Sequence, residues 1–126
     1  MRLPPLLRIV LGVLFAGMGV AHFVPSVQRG MRAMIPPALR RPGFPSTRTL
    51  VVVTGVCELA AAAGLQLRPV RRATGILLVA FLAAVFPANA YAASDPERFG
   101  RTAIPLRPRL VGQVVLGALV LVAAFA

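Results

Sequence analysis

Four long apolar segments dominate this sequence of 126 residues and leave few folds open to it. About 20 residues are needed for a helix to cross roughly 30 Å of hydrocarbon. Membrane-crossing strands would alternate polar and apolar residues, and these segments do not. The sequence therefore predicts an all-α membrane protein, a single domain over residues 1–126 that forms a four-transmembrane-helix antiparallel bundle. The predicted spans, each 17 to 21 residues long, are Pro5–Val24, Leu50–Leu67, Ala73–Ala93 and Leu110–Ala126.

The composition supports a membrane location. Hydrophobic residues make up 58% of the chain and charged residues 13%, about half of what a soluble domain carries. All 14 basic residues are arginine, the net charge is +11, and 13 of these arginines lie outside the apolar segments. Arginines beside membrane spans attract anionic headgroups by about 1 kcal/mol each. The expected partner is therefore the lipid bilayer, and no nucleic acid is expected despite the charge.

Arginine without lysine, together with many Ala, Gly and Pro residues, is typical of GC-rich bacterial genomes. The predicted location is the bacterial inner (plasma) membrane, as a multi-pass protein. The arginine count favours a cytoplasmic position for the first and third connections between the spans, residues 25–48 and 94–109.

The first connection, residues 25–48, contains an amphipathic stretch. Its apolar residues recur at helical spacing and Arg29 and Arg32 lie mostly opposite to them, as in helices that lie in the headgroup interface. Ser26 could cap such a helix and Pro36–Pro37 would end it. A short interfacial helix after the first span and an irregular lid are equally compatible with this stretch, whose apolar positions are Val27, Met31, Met34 and Ile35.

Cys57 is the only cysteine in the chain. A single thiol excludes an internal dithiol relay and a metal site built from thiols. Because it lies in the middle of a span, where a buried thiol is inert, we expect it to be a small packing residue.

Glu58 is the residue most suggestive of function, because it lies near the middle of the second apolar segment. A carboxylate at the bilayer centre costs about 2.5–3.5 kcal/mol on insertion scales, so such a group is usually neutral, paired or facing a cavity. Gly55, Ala61 and Ala62 lie around it on the helix, and membrane helices pack closely at small residues. We therefore expect Glu58 to face the interior of the bundle.

Three further polar residues belong to the same membrane half in an up-and-down bundle: His22, Asn89 and Gln113. Together with Glu58 they predict a ligand-binding pocket that opens to one interface and has an acid at its floor, with Tyr91 and Phe99 as candidates for its rim. Structural roles are open for all of them. His22 could be an interfacial residue, the two amides could link helices, and a protonated Glu58 could donate to His22 or Gln113.

The order of several short motifs resembles the DoxX family of small four-helix membrane proteins over nearly the whole chain. The motifs that carry the resemblance are Gly-x-x-His-Phe at 19–23, Met-Ile-Pro at 34–36, Gly-x-x-Glu-Leu at 55–59, Phe-Pro-Ala-Asn at 86–89 and Arg-Leu-x-x-Gln at 109–113. The polar positions of that family map onto His22, Glu58, Asn89 and Gln113.

The resemblance implies an accessory subunit of a redox or oxidative-stress-linked membrane complex, whose pocket binds a quinone or another lipid-soluble ligand. A soluble or membrane redox protein would be its partner, and an oligomer is compatible with it. The chain is not expected to be an enzyme on its own, and we assign no catalytic residue and no metal ligand. The alternatives are a membrane scaffold or assembly chaperone and, less favoured, a proton-coupled transporter, for which four short helices without inverted repeats are poorly suited.

Overall fold

The computed structural model describes residues 2–95 and 105–126, and every regular element within these two ranges is helical. Four of the described helices are long and apolar enough to cross a membrane. The predicted all-α class is therefore confirmed for the described part of the chain. The α-helices are α1 (Leu3–Ala21), α2 (Pro25–Ala33), α3 (Thr47–Gly64), α4 (Arg71–Ser94) and α5 (Leu106–Phe125), and 3-10 turns occur at Pro37–Leu39 and Arg68–Val70.

The helix ends are set by local chemistry that hydropathy does not report. The hydroxyl of Ser46 accepts a hydrogen bond from the backbone N–H of Thr49, so α3 begins at Thr47, three residues before the predicted span. In α2, Pro25 occupies the first turn and no side chain caps the helix, so the predicted cap by Ser26 is wrong. The sequence Ser94-Asp95-Pro96-Glu97 also predicts a capped turn after α4, and this turn lies partly outside the described residues.

The amphipathic stretch of the first connection forms the nine-residue helix α2, and an irregular lid is wrong for this part. Beyond it, the guanidinium of Arg40 closes the connection by donating three hydrogen bonds. Its Nε donates to the carbonyl of Ile35 at 2.8 Å, and its Nη2 donates to the carbonyls of Arg32 and Ala33 at 3.0 and 2.9 Å. This side chain therefore holds the end of α2 and the residues after it in one arrangement.

The bundle consists of two closely packed helix pairs, α1 with α3 and α4 with α5, and α1 also contacts α5. The start of α1 lies against the end of α5, where Arg8 Nε donates to the carbonyl of Ala123 at 2.8 Å, so these two helices run antiparallel. A cluster of large apolar side chains joins the pairs, and its most buried members include Leu11, Phe15, Leu65, Leu78 and Val120.

Glycines set the close approach of α1 to α3. A Cβ added at Gly19 would lie 2.8 Å from Leu59 Cγ, and one added at Gly55 would lie 2.7 Å from the Cβ of His22. Contacts this short are not tolerated, so only glycine lets the end of α1 lie directly against the middle of α3. This approach brings His22 to the same depth in the bundle as the polar face of α3.

Candidate ligand-binding site

His22 directly follows α1 and is 92% buried, with 8% of its surface exposed. Its Nδ1 lies 2.6 Å from the carbonyl oxygen of Met18, one turn earlier. A carbonyl can only accept, so the ring carries a proton on Nδ1 and donates it to Met18. In the neutral ring this leaves the lone pair on Nε2, the nitrogen that has no hydrogen bond to any residue the structure describes.

Glu58 lies eleven residues into α3, roughly 16 Å along the helix axis at about 1.5 Å per residue. Its side chain is as buried as that of His22, and its Oε2 lies 3.4 Å from His22 Nδ1. Among the described residues, Oε2 has no hydrogen-bond partner. A buried polar atom without a hydrogen-bond partner costs about 1–3 kcal/mol, so this carboxyl lowers the stability of the chain unless a partner is supplied.

A cavity of about 300 Å³ opens beside this pair. Its walls come from α1, α2, α3, α4 and the connection that Arg40 holds in place, and most of its lining is apolar. His22 and Glu58 both contribute to it, as do Asn89 from α4 and Thr54, one turn before Glu58 on α3. The arrangement combines an apolar wall with a few convergent hydrogen-bonding groups, which is the usual character of a small-molecule site.

Asn89 has a second role in addition to its place in the cavity wall. Its Oδ1 accepts a hydrogen bond of 2.8 Å from Nη1 of Arg109, which lies at the start of α5. The side chain therefore links α4 to α5, as the structural alternative for this amide predicted. Arg109 was not among the predicted site residues.

Gln113 was grouped with His22, Glu58 and Asn89 because the topology assigns all four to one membrane half. It does not line the cavity, however. It lies on α5, which packs mainly on α4 and α1 rather than on α3, so it is separated sideways from Glu58. Tyr91 is not part of the wall either, and Phe99 lies outside the described residues. The structure thus brings together His22, Glu58 and Asn89, and a binding role for Gln113 stays a prediction.

Three methionines of the cavity wall were not predicted as site residues from the sequence. Met31 and Met34 were noticed only as the apolar side of α2, and Met18 was not considered at all, although it precedes His22 by one helical turn. All three line the same cavity as the histidine.

A second cavity, of about 400 Å³, lies between α3 and α4 and has Phe81 in common with the first. Its remaining wall is formed by Cys57, Ala60, Ala61, Thr74, Leu77 and Leu78. Cys57 is exposed here, so the expectation that it is a packing residue is wrong.

The fold and the cavity define a class of protein: a small helical bundle of four membrane-span-length helices with a partly polar internal cavity. Within that class, the chain belongs to the family described as "Domain of unknown function (DUF8561)", which matches residues 11–125. No curated protein and no solved structure matches the chain.

This match corrects the resemblance to the DoxX family. The chain matches the DUF8561 family and does not match the DoxX family, so the DoxX assignment is wrong. The motifs behind that resemblance are short, with three or four fixed residues each, and several of those residues are Gly, Ala or Leu. Helices that pack closely in an apolar environment use the same residues for general reasons, so such motifs occur in unrelated bundles.

Proposed function

We propose that the protein is a multi-pass protein of the bacterial plasma membrane that binds a lipid-soluble ligand with a polar head, such as a quinone, in the cavity beside Glu58. The observation that carries the proposal is the carboxyl oxygen Oε2, which is buried at the edge of an apolar cavity and has no hydrogen-bond partner among the described residues. A ligand carbonyl or hydroxyl would provide that partner.

The size and chemistry of the cavity support a ligand of this type. A volume of about 300 Å³ is at the lower end of ligand pockets, so it accommodates a ring-sized head group while an apolar tail extends outward. Glu58 in its protonated form and the amide of Asn89 can both donate hydrogen bonds to carbonyl oxygens, the polar atoms of a quinone head.

The proposal is limited to binding. The role in a redox complex, with a redox protein as partner, was implied by the DoxX resemblance alone and has no support in the residues of the cavity. Assembly with another protein is an outcome that the following experiment detects.

The test is native mass spectrometry of the protein released gently from its own membrane, compared with Glu58→Gln and Glu58→Leu. We expect a small-molecule adduct on the native chain that is weakened in Glu58→Gln and lost in Glu58→Leu. Thr74→Val is the matched control, since it removes a polar group from α4 at a position that lines only the second cavity, and it should keep the adduct. A native chain that carries only a protein partner and no small molecule would refute the binding proposal.

Chemical labelling of the single cysteine tests separately whether the protein is inserted in a membrane. Cys57 is exposed on the surface of α3 near the middle of the span, where lipid would surround it. We expect a polar maleimide to leave Cys57 unmodified in open membrane fragments and to modify it after denaturation in detergent. Arg41→Cys in a Cys57→Ser background, which places the thiol in the exposed first connection, should react in both conditions. Equal reaction of both thiols in membrane fragments would contradict insertion.

A further inference from the structure

We propose that the cavity also contains a binding site for monovalent copper, formed by the thioethers of Met18, Met31 and Met34 and by the imidazole of His22. Three of the four methionines of the chain and its single histidine line this one cavity. The proposal does not depend on the lipid-soluble ligand, because it concerns a different chemistry in the same space.

The donor set selects the metal. Thioether sulfur is a soft ligand that favours Cu(I), and imidazole also suits copper. Zinc and other divalent ions are usually held by His, Cys, Asp and Glu, and the described residues contain no group of three or more of these that could hold a metal. Three thioethers and one imidazole therefore point to Cu(I) rather than to a divalent ion.

The fold brings these donors together from two helices. Met18 and His22 are four residues apart at the end of α1, and Met31 and Met34 are three residues apart at the end of α2, so each pair shares a helix face. Gln28 donates a hydrogen bond of 3.0 Å to the carbonyl of His22, which links the first turn of α2 to the residue that follows α1. Methionine has three rotatable bonds, so the sulfur atoms can adjust to an ion without a change in the helices.

His22 has the hydrogen bonding of a metal ligand. A ligating histidine donates its other ring N–H to a carbonyl or a carboxylate, which fixes its tautomer and orientation. Nδ1 of His22 donates to the carbonyl of Met18 and has the Glu58 carboxyl 3.4 Å away. Nε2 is then the nitrogen with a lone pair, and no described residue occupies it.

Glu58 supplies the charge that a buried cation requires. It is the one acidic residue among those described in the cavity wall. A buried ion is stable only when it is paired, and a carboxylate next to the histidine would neutralise the single positive charge of Cu(I). In this role Glu58 is a positioning residue that acts through His22.

The experiment measures Cu(I) binding to the purified full-length chain by competition with a chromophoric Cu(I) chelator such as bicinchoninate. The chain carries no histidine tag and has Cys57→Ser in every variant, because an exposed thiol would itself bind Cu(I). We expect one Cu(I) per chain. Glu58→Gln should weaken binding about 10- to 100-fold, the usual effect of changing the partner of a ligating histidine.

Replacement of the three methionines together by leucine should weaken binding by more than the Glu58 change. Leucine is close to methionine in volume and equally apolar, so this variant tests the sulfur atoms rather than the packing. Leu39→Ala is the control, since Leu39 lines the cavity without offering a donor atom, and it should bind Cu(I) as the parent does. X-ray absorption at the copper edge should show sulfur and nitrogen neighbours, with the sulfur signal lost in the leucine variant.

Two results would overturn the copper site: a parent chain that does not hold Cu(I) against the chelator, or a leucine variant that binds as tightly as the parent. Failure of the copper site and failure of the proposed function are distinguished by whether the native chain keeps its small-molecule adduct. If the leucine variant loses the adduct while the parent binds no copper, the methionines serve the lipid-soluble ligand and the copper site is wrong.

Discussion

The two cavities begin at adjacent residues of α3 and have opposite chemical characters. Glu58 lines the first one, where a histidine and an asparagine accompany it, and Cys57 lines the second one, whose other walls are apolar except for Thr74. Successive residues of a helix point about 100° apart, which is enough to separate the two spaces. The second cavity has only the Thr74 hydroxyl and the Cys57 thiol as hydrogen-bonding side chains in its wall, and it has no ionisable carboxyl or imidazole.

The cavities also differ in the elements that form their walls. The first has α2 and the connection that Arg40 holds as part of its wall, in addition to α1, α3 and α4. The second lies between α3 and α4, which contact each other much less than the two main helix pairs do. In a bilayer, acyl chains can fill such an apolar gap, while a buried acid requires a partner of its own.

The largest expected effect comes from Gly55→Ala, which tests whether the first cavity depends on the close approach of α1 to α3. The new Cβ would lie 2.7 Å from the Cβ of His22 and 3.0 Å from the ring of Phe23, so the helices must separate. We expect a loss of about 1–3 kcal/mol in the free energy of unfolding, the usual cost of overpacking, and loss of the ligand adduct. Thermal unfolding in detergent and native mass spectrometry measure the two effects.

Gly117→Ala is the control, because a Cβ there meets no described atom within 4 Å. Stability should stay the same or rise by up to about 1 kcal/mol, since alanine favours helix more than glycine does. Equal effects of the two substitutions would show that helix propensity, rather than close approach, determines the result.

Filling each cavity in turn compares them directly. Ala84→Leu narrows the first cavity and Ala60→Leu narrows the second, with the same change in side-chain volume at two exposed alanines. We expect Ala84→Leu to reduce the ligand adduct at least about tenfold, a loss of about 1.4 kcal/mol in binding, and Ala60→Leu to leave it unchanged. If Ala60→Leu has the stronger effect, the ligand occupies the second cavity and the assignment is reversed.

The smallest expected effect is a local loss of stability in the cover of the first cavity, which consists of α2 and the residues that follow it up to Leu39. Arg40→Gln removes the guanidinium that donates to the carbonyls of Arg32, Ala33 and Ile35. Hydrogen bonds from charged groups contribute about 1.5–3 kcal/mol when well formed, and exposure of this side chain places the loss at the low end. We expect amide hydrogen exchange in residues 31–39 to become about tenfold faster.

Arg41→Gln is the matched control for that measurement, since its exposed side chain makes no hydrogen bond to a described residue. Exchange in residues 31–39 should be the same as in the parent. Equal acceleration by both substitutions would mean that net charge, and not the bonds of Arg40, stabilises the cover.

The sequence predicted position along the helices well and direction around the bundle poorly. Hydropathy located four helices that are long and apolar enough to cross a membrane, and the small residues around Glu58 correctly predicted that it faces inward, as its burial confirms. Gln113 is at a suitable depth but on a helix that lies away from α3, and nothing in a single sequence reports which helices are neighbours across a bundle. The path of the first connection was equally hidden, because it depends on the hydrogen bonds of the Arg40 guanidinium and on the packing of α2 against α3.

The family assignment failed for a related reason. Motifs such as Gly-x-x-Glu-Leu at 55–59 describe how a helix packs, and the requirements of packing are common to many bundles. The methionines carry a more distinctive chemistry, but in the sequence they read as ordinary apolar residues. Only their convergence on the cavity of His22 separates them from the rest of the apolar surface.

Phe81 forms part of both cavity walls, so its ring acts as a partition between two compartments. If a ligand in the first cavity displaced this ring, the space available to lipid in the second cavity would change, and lipid packed there would act back on the ligand with the same coupling free energy. The affinity for the ligand would then depend on the composition of the surrounding bilayer.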